Sequence, residues 1–183
     1  MNDEKIRQFM LLAGQKLGQD PSHASPELRK LGAQLLLSET LEYVIKGLGV
    51  VPKISGVAVT DANSLVYETK NDIDKLEMLD GLSDVAYTMY WNSVAFGLRL
   101  EEAFDAVCNN NLEKFVKLES WNEAPRPLER EEWHCGQNIV WPDEVVSVEA
   151  VEVNSYFYAV GKDRHGKVRK PSSYNSVSLS DLL

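Results

Sequence analysis

Two stretches of this chain carry carboxylates where an apolar helix would bury its side. Glu39 and Glu42 fall inside Leu35-Leu36-Leu37-Ser38-Glu39-Thr40-Leu41-Glu42-Tyr43-Val44-Ile45, and Asp80 and Asp84 inside Leu79-Asp80-Gly81-Leu82-Ser83-Asp84-Val85-Ala86. An ionised carboxylate withdrawn from water is costly unless a cation or hydrogen-bond donors compensate it. Lys46 is the one cationic residue near the first pair in sequence. Residues three or four apart share a helix face, so each pair aims two acids one way, and Glu77 joins Asp80 and Asp84 by the same spacing. Two such helices packed together would gather four or five carboxylates in one volume, where hard cations relieve the repulsion. With no His or Cys in the set, the donors point to Mg²⁺, or Mn²⁺, over zinc or copper.

The apolar spacing around these acids predicts a mainly helical chain. Ile6, Phe9, Met10, Ala13 and Leu17 trace one face of a first helix ending near Gly18. Ser25-Pro26-Glu27 supplies a cap, a proline and an acid at the start of a second, which the pattern carries to Leu48 with Gly49 as its stop. Residues 50–70 read as a loop or hairpin excursion built on Val57-Ala58-Val59 and Leu65-Val66-Tyr67. A third helix begins at Asn71 or Asp72 and runs to Gly97, and a fourth spans residues 100–118. Pro125, Pro127 and Pro142 with Trp121, Trp133 and Trp141 mark an irregular insert. Beyond it, Tyr156-Phe157-Tyr158-Ala159-Val160 and Lys167-Val168-Arg169 predict a small hairpin around Asp163-Arg164-His165-Gly166.

Nineteen basic against twenty-eight acidic residues give a net charge of −9, which disfavours binding to a nucleic acid polymer or an anionic membrane. Cys108 and Cys135 are too few for a disulfide scaffold, the start Met1-Asn2-Asp3-Glu4 is unlike a basic leader, and no apolar run is long enough to span a bilayer. These features lead us to expect a cytoplasmic protein. There is no GxxxxGK[ST], HExxH or GxSxG pattern, and the single Glu131-to-His134 spacing lacks the second copy that a di-iron bundle requires.

The acidic motifs resemble those of the all-α nucleoside triphosphate pyrophosphohydrolases, which include MazG-type enzymes, phosphoribosyl-ATP pyrophosphohydrolase and the dimeric dUTPases. That group carries Glu-Glu-x-x-Glu on one helix and Glu-x-x-Asp on the next, matched here by Ser38-Glu39-Thr40-Leu41-Glu42 and Gly81-Leu82-Ser83-Asp84. Ser38 and Gly81 replace two acids of the pattern, and Asp80 stands beside the second gap. The likeness is closer to MazG-like proteins with Asp-Gly-Leu-Ala-Asp followed by Ala-Phe-Gly, Asn-x-x-Lys-Phe and a late Asp-Gly-Lys-Val-x-Lys-Pro, where His165 stands at the first position of the last. Here those read Asp80-Gly81-Leu82-Ser83-Asp84, Ala95-Phe96-Gly97, Asn111-Leu112-Glu113-Lys114-Phe115 and Gly166-Lys167-Val168-Arg169-Lys170-Pro171.

The resemblance, which leaves out residues 50–70 and 118–154, implies a four- to five-helix bundle over residues 1–118 assembled as a homodimer or homotetramer; the sequence pattern adds residues 119–183 as an insert and β-hairpin tail packed on it. It implies hydrolysis of a nucleoside triphosphate to monophosphate and pyrophosphate. The metal ligands would be Glu39, Glu42, Asp80 and Asp84 with Glu77 assisting, and Glu39 would serve as base. Asn111, Lys114, Lys167, Lys170 and Tyr174 would meet the substrate. The competing reading is a catalytically silent nucleotide- or protein-binding module.

Overall fold

The computed structural model describes residues 2–69 and 72–183, so Lys70 and the candidate cap Asn71 lie outside the described residues. It corrects the mainly helical expectation. Four helices, α1 (Asn2–Leu12), α2 (Pro26–Glu42), α3 (Lys75–Phe96) and α4 (Leu100–Leu112), accompany six strands in two antiparallel sheets. With 44% of residues helical and 15% in strands, the fold is mixed α and β.

The sheet comes from the stretch that the prolines and tryptophans had made look irregular. Strands β3 (Val116–Lys117), β4 (Arg126–Pro127), β5 (Val145–Val153) and β6 (Tyr156–Asp163) lie in the order β3-β6-β5-β4. Along β5, Val145, Val148, Ala150 and Val153 are buried while Val146 and Glu152 are exposed, so strand alternation is present with one irregularity between Val145 and Ser147. Asn154 and Ser155 join β5 to β6 with φ of 53° and 64°, the left-handed pair that a two-residue hairpin turn requires. The predicted turn at Asp163–Gly166 does form, but only a bridge from Lys162 to Val168 pairs across it. The main partner of β6 is β5, through Val153 opposite Tyr156 and Ala150 opposite Ala159. The expected fourth helix ends at Leu112, and Val116–Lys117 enters the sheet beside Ala159 and Tyr158.

The sheet is packed on both faces. Val116, Leu128, Trp141, Val148 and Ala159 form one buried cluster with the insert. Leu12, Phe115, Val153 and Val160 form the other, where Phe9 of α1 meets Phe115 edge-on at 5.2 Å. Neighbouring residues Ala159 and Val160 thus face opposite clusters, both fully buried. Each valine buried in this way contributes about 1.5–3 kcal/mol.

The chain divides into two compact units, one of Met1–Leu17 with Val85–Leu183 and the other Gly18–Asp84. In the second unit, Ser25 caps α2 by accepting from the Leu28 N–H at 3.2 Å, and Pro26 occupies the first turn as the sequence indicated. The helix widens at its end into a five-residue turn, Tyr43–Gly47, in which the Leu48 N–H reaches Tyr43 O. Strands β1 (Lys53–Ile54) and β2 (Val57–Ala58) pair within the excursion, whereas Leu65-Val66-Tyr67 forms no strand. Asp74, not Asp72, caps α3, taking the N–H groups of Leu76 and Glu77.

Gly161 tests the packing of the insert. A Cβ at that position would fall inside the Trp141 ring. Gly161→Ala should cost about 1–3 kcal/mol, lowering Tm by several degrees in a thermal melt, with the far-ultraviolet spectrum at low temperature unchanged.

Candidate functional site

The late motifs come together at one place in the first unit. α4 closes with Asn110 and Asn111 in its last turn, Lys114 lies in the turn that follows, and the tail beyond β6 returns to it. Tyr174 donates its hydroxyl hydrogen to Asn110 Oδ1, and the Asn110 amide donates to the Asn175 carbonyl. Asn110 is 7% exposed, so this latch replaces water that the amide would otherwise need. Lys114 Nζ donates to Asn111 Oδ1 at 2.7 Å and lies 5.5 Å from the centre of the Phe9 ring. Lys170 lies 4.5 Å from the centre of the Tyr174 ring.

Lys167 and Lys170 lie near enough to Lys114 for their charges to act on it. Burial lowers the Lys114 pKa, and the charges of Lys170 and Lys167 lower it further. None of the three has a carboxylate partner among the described residues. In a chain of net charge −9, a half-buried lysine with two further unpaired ammonium groups near it is a disposition for an anion.

Asp163 holds the turn that presents two of them. Its carboxylate accepts the N–H groups of His165 at 2.8 Å and Lys167 at 2.9 Å, and pairs with Arg169 at 2.8 Å. Burial raises the Asp163 pKa, but the two backbone donors and the Arg169 guanidinium outweigh it, leaving the group below its ordinary value. The turn is therefore secured at neutral pH and loosens only as pH falls through that lowered value. In the sequence Asp163 stands out only as the first residue of a turn, and Asn110 does not stand out as a site residue. The signal for Asn110 was its place four residues before Lys114, and for Asp163 its place three residues before the turn glycine.

The acids expected to hold metal are all exposed in the single chain: Glu39, Glu42, Glu77, Asp80 and Asp84. α2 packs mainly on the wide turn after it and on Ala62–Ser64, and α3 is not among its principal contacts. No three His, Cys, Asp or Glu residues form a metal-holding group among the described residues. Glu42 pairs with Lys46 at 2.8 Å, an exposed i,i+4 contact worth about 0.3–0.5 kcal/mol that a divalent ion displaces easily. Among the described residues no ion pair or hydrogen bond reaches the carboxylates of Glu39, Glu77, Asp80 and Asp84, whose all-oxygen donors are of the type that suits magnesium. Glu42 also borders a hollow of about 210 Å³ with Ser38, Lys46 and Asp61.

No family model, curated protein or solved structure matches the chain. No helix among the described residues is long and apolar enough to cross a membrane.

The lysine cluster makes a direct prediction. Pyrophosphate at a hundredfold excess over Kd should stabilise the protein by about 2.7 kcal/mol, a rise of roughly 5–10 °C in Tm. Lys114→Met should lose that rise while melting no lower than the parent without ligand, because it removes one of three repelling charges. Since the Lys114 pKa is lowered, pyrophosphate affinity should weaken at a less alkaline pH than an ordinary lysine would allow, which calorimetric titrations across pH would measure.

Proposed function

We propose that this protein is a magnesium-dependent nucleotide pyrophosphohydrolase, converting a nucleoside or deoxynucleoside triphosphate and water to the monophosphate and pyrophosphate. The observation that carries the reading is the convergence of Lys114, Lys167 and Lys170 beside Asn111 and Tyr174, without a carboxylate counterpart. These are the positions that the resemblance assigns to substrate. In this reading the three ammonium groups bind the phosphate chain, and their mutual repulsion is relieved as it enters. Magnesium, held by Glu39, Glu42, Asp80 and Asp84 with Glu77 assisting, would polarise phosphate oxygens and acidify bound water. Glu39 accepts the proton of the water that attacks phosphorus.

The acids need a second chain to gather them. α2 and α3 bury no residue of their own, and Leu35, Leu82, Tyr87, Trp91 and Val94 stand 57–83% exposed. A soluble protein rarely leaves so much apolar helix uncovered. We assign that cover to further copies of this chain, as a homodimer or homotetramer, with nucleotide as the substrate and the cytoplasm as its compartment.

The second reading, a catalytically silent nucleotide- or protein-binding module, draws on the spread of the acids within one chain. The two readings separate in a single assay. Pyrophosphate release from a panel of nucleoside triphosphates with Mg²⁺ should be measurable in the parent protein and fall at least a thousandfold in Glu39→Gln. The variant should keep its Tm and its oligomeric mass by light scattering. Nucleotide binding without release in the parent would favour the silent module.

A further inference from the structure

The other face of the four-stranded sheet carries a larger cavity. Lys117, Trp121, Leu128, Glu131, His134 and Gln137 border a space of about 450 Å³, within the range of small-molecule sites. Leu128 and Trp121 belong to the cluster that packs Val116, Val148 and Ala159, whereas Phe9 and Phe115 beside Lys114 belong to the cluster on the opposite face. The cavity is therefore separate from the lysine cluster.

Its chemistry differs as well. The carboxylate of Glu132 is already engaged: Arg126 grips both its oxygens at 2.8 Å, and the Glu129 N–H adds a third bond. Glu119 pairs with Lys117 at 3.2 Å. Glu131 has neither an ion pair nor a hydrogen bond among the described residues, so one uncommitted carboxylate faces the cavity. His134 Nδ1 accepts the Gly136 N–H at 2.9 Å, which places a ring hydrogen on Nε2, where no acceptor meets it among the described residues. The Gln137 amide donates to the Lys117 carbonyl, keeping its own oxygen to accept. With Glu132 met by Arg126 and Glu119 by Lys117, the unpaired Glu131 leaves the cavity net negative, which disfavours a phosphate.

The apolar part is flat. Trp121 carries the Arg126 guanidinium at 4.8 Å from its ring centre, and its N–H is taken by the Glu123 carbonyl. What it has left to offer is ring surface, beside the buried Leu128. Cys135 adds a thiol that burial pushes up to about 11, so it stays protonated on the Trp133 carbonyl and acts as apolar wall. The rim is held in place: Cys135, Gly136 and Asn138 have φ of 53°, 66° and 56°, and the N–H groups of Gln137 and Ile139 both bond to the His134 carbonyl. Left-handed residues in such density persist where the surrounding bonds over-determine them.

We propose that this cavity binds an uncharged planar nitrogen heterocycle of the guanine type, stacked against Trp121 with its adjacent N–H donors on Glu131. Neighbouring N–H groups match a two-oxygen carboxylate, and a ring acceptor meets His134 Nε2–H. The inference stands apart from the hydrolase reading, because it uses no residue of that site.

The test is calorimetric titration of the full chain with guanosine and with adenosine, whose six-membered ring edge lacks the paired donors. Guanosine should bind saturably and adenosine about tenfold more weakly or worse. Glu131→Gln, an exposed change that leaves the core intact, should weaken guanosine by a similar factor. The triple variant Lys114→Met, Lys167→Met, Lys170→Met should bind guanosine as the parent does. The proposal is overturned if guanosine gives no binding up to its solubility, if adenosine or Glu131→Gln matches parent affinity for guanosine, or if the triple variant loses binding.

Discussion

A carboxylate buried to 6% exposure fixes the end of this chain. Asp163 closes β6, and its charge has to be met where water is excluded. The cheapest donors are the backbone N–H groups two and four residues ahead, so the chain curls into the Asp163–Gly166 turn, and Arg169 completes the neutralisation. That one compensation determines where Lys167 and Lys170 stand. It also sends the tail toward α4, where Pro171 is buried and Tyr174 finds Asn110. The candidate anion site is in this sense a by-product of satisfying an interior acid.

The two units handle apolar surface in opposite ways. One packs a twisted ribbon on both sides, with valine and leucine residues at 0–8% exposure in its two clusters. The other contains α2, whose leucines at positions 28, 31, 35, 36 and 37 remain 40–57% exposed. Helices stabilised so little by their own chain draw most of their stability from whatever packs against them, since isolated segments of this length are marginal in water. Coverage of α2 and α3 is thus a condition of their order as well as of any chemistry their acids perform.

Local signals in the sequence were legible where they acted locally. Ser25-Pro26 starts α2 as its residue types require, and the turn around Gly166 forms where the glycine, at φ of 75°, allows it. The sheet was missed because its decisive strand, Val145–Val153, follows three proline-bearing, tryptophan-bearing segments and carries a shift after Val145 that blurs its alternation. α4 was read six residues too long, since Phe115 continues the helical spacing but is buried against Leu12 by the sheet instead. At the candidate site, Asn111, Lys114, Lys167, Lys170 and Tyr174 were readable as motif positions. Asn110 and Asp163 carried positional signals alone, because their importance is burial, which only the tertiary structure creates. The acidic pairs remain a pattern of spacing, and one chain by itself leaves them apart.

The latch between Asn110 and the Tyr174–Asn175 segment joins residues far apart in sequence. During synthesis the helical half leaves the ribosome first, carrying Lys114 but neither of its companions. Such a nascent chain has no assembled lysine cluster until residues 167–175 emerge and dock. A chain ending anywhere from Asp84 to Gly166 therefore keeps every acidic motif yet lacks Lys167 and Lys170, and with them the cationic cluster around Lys114.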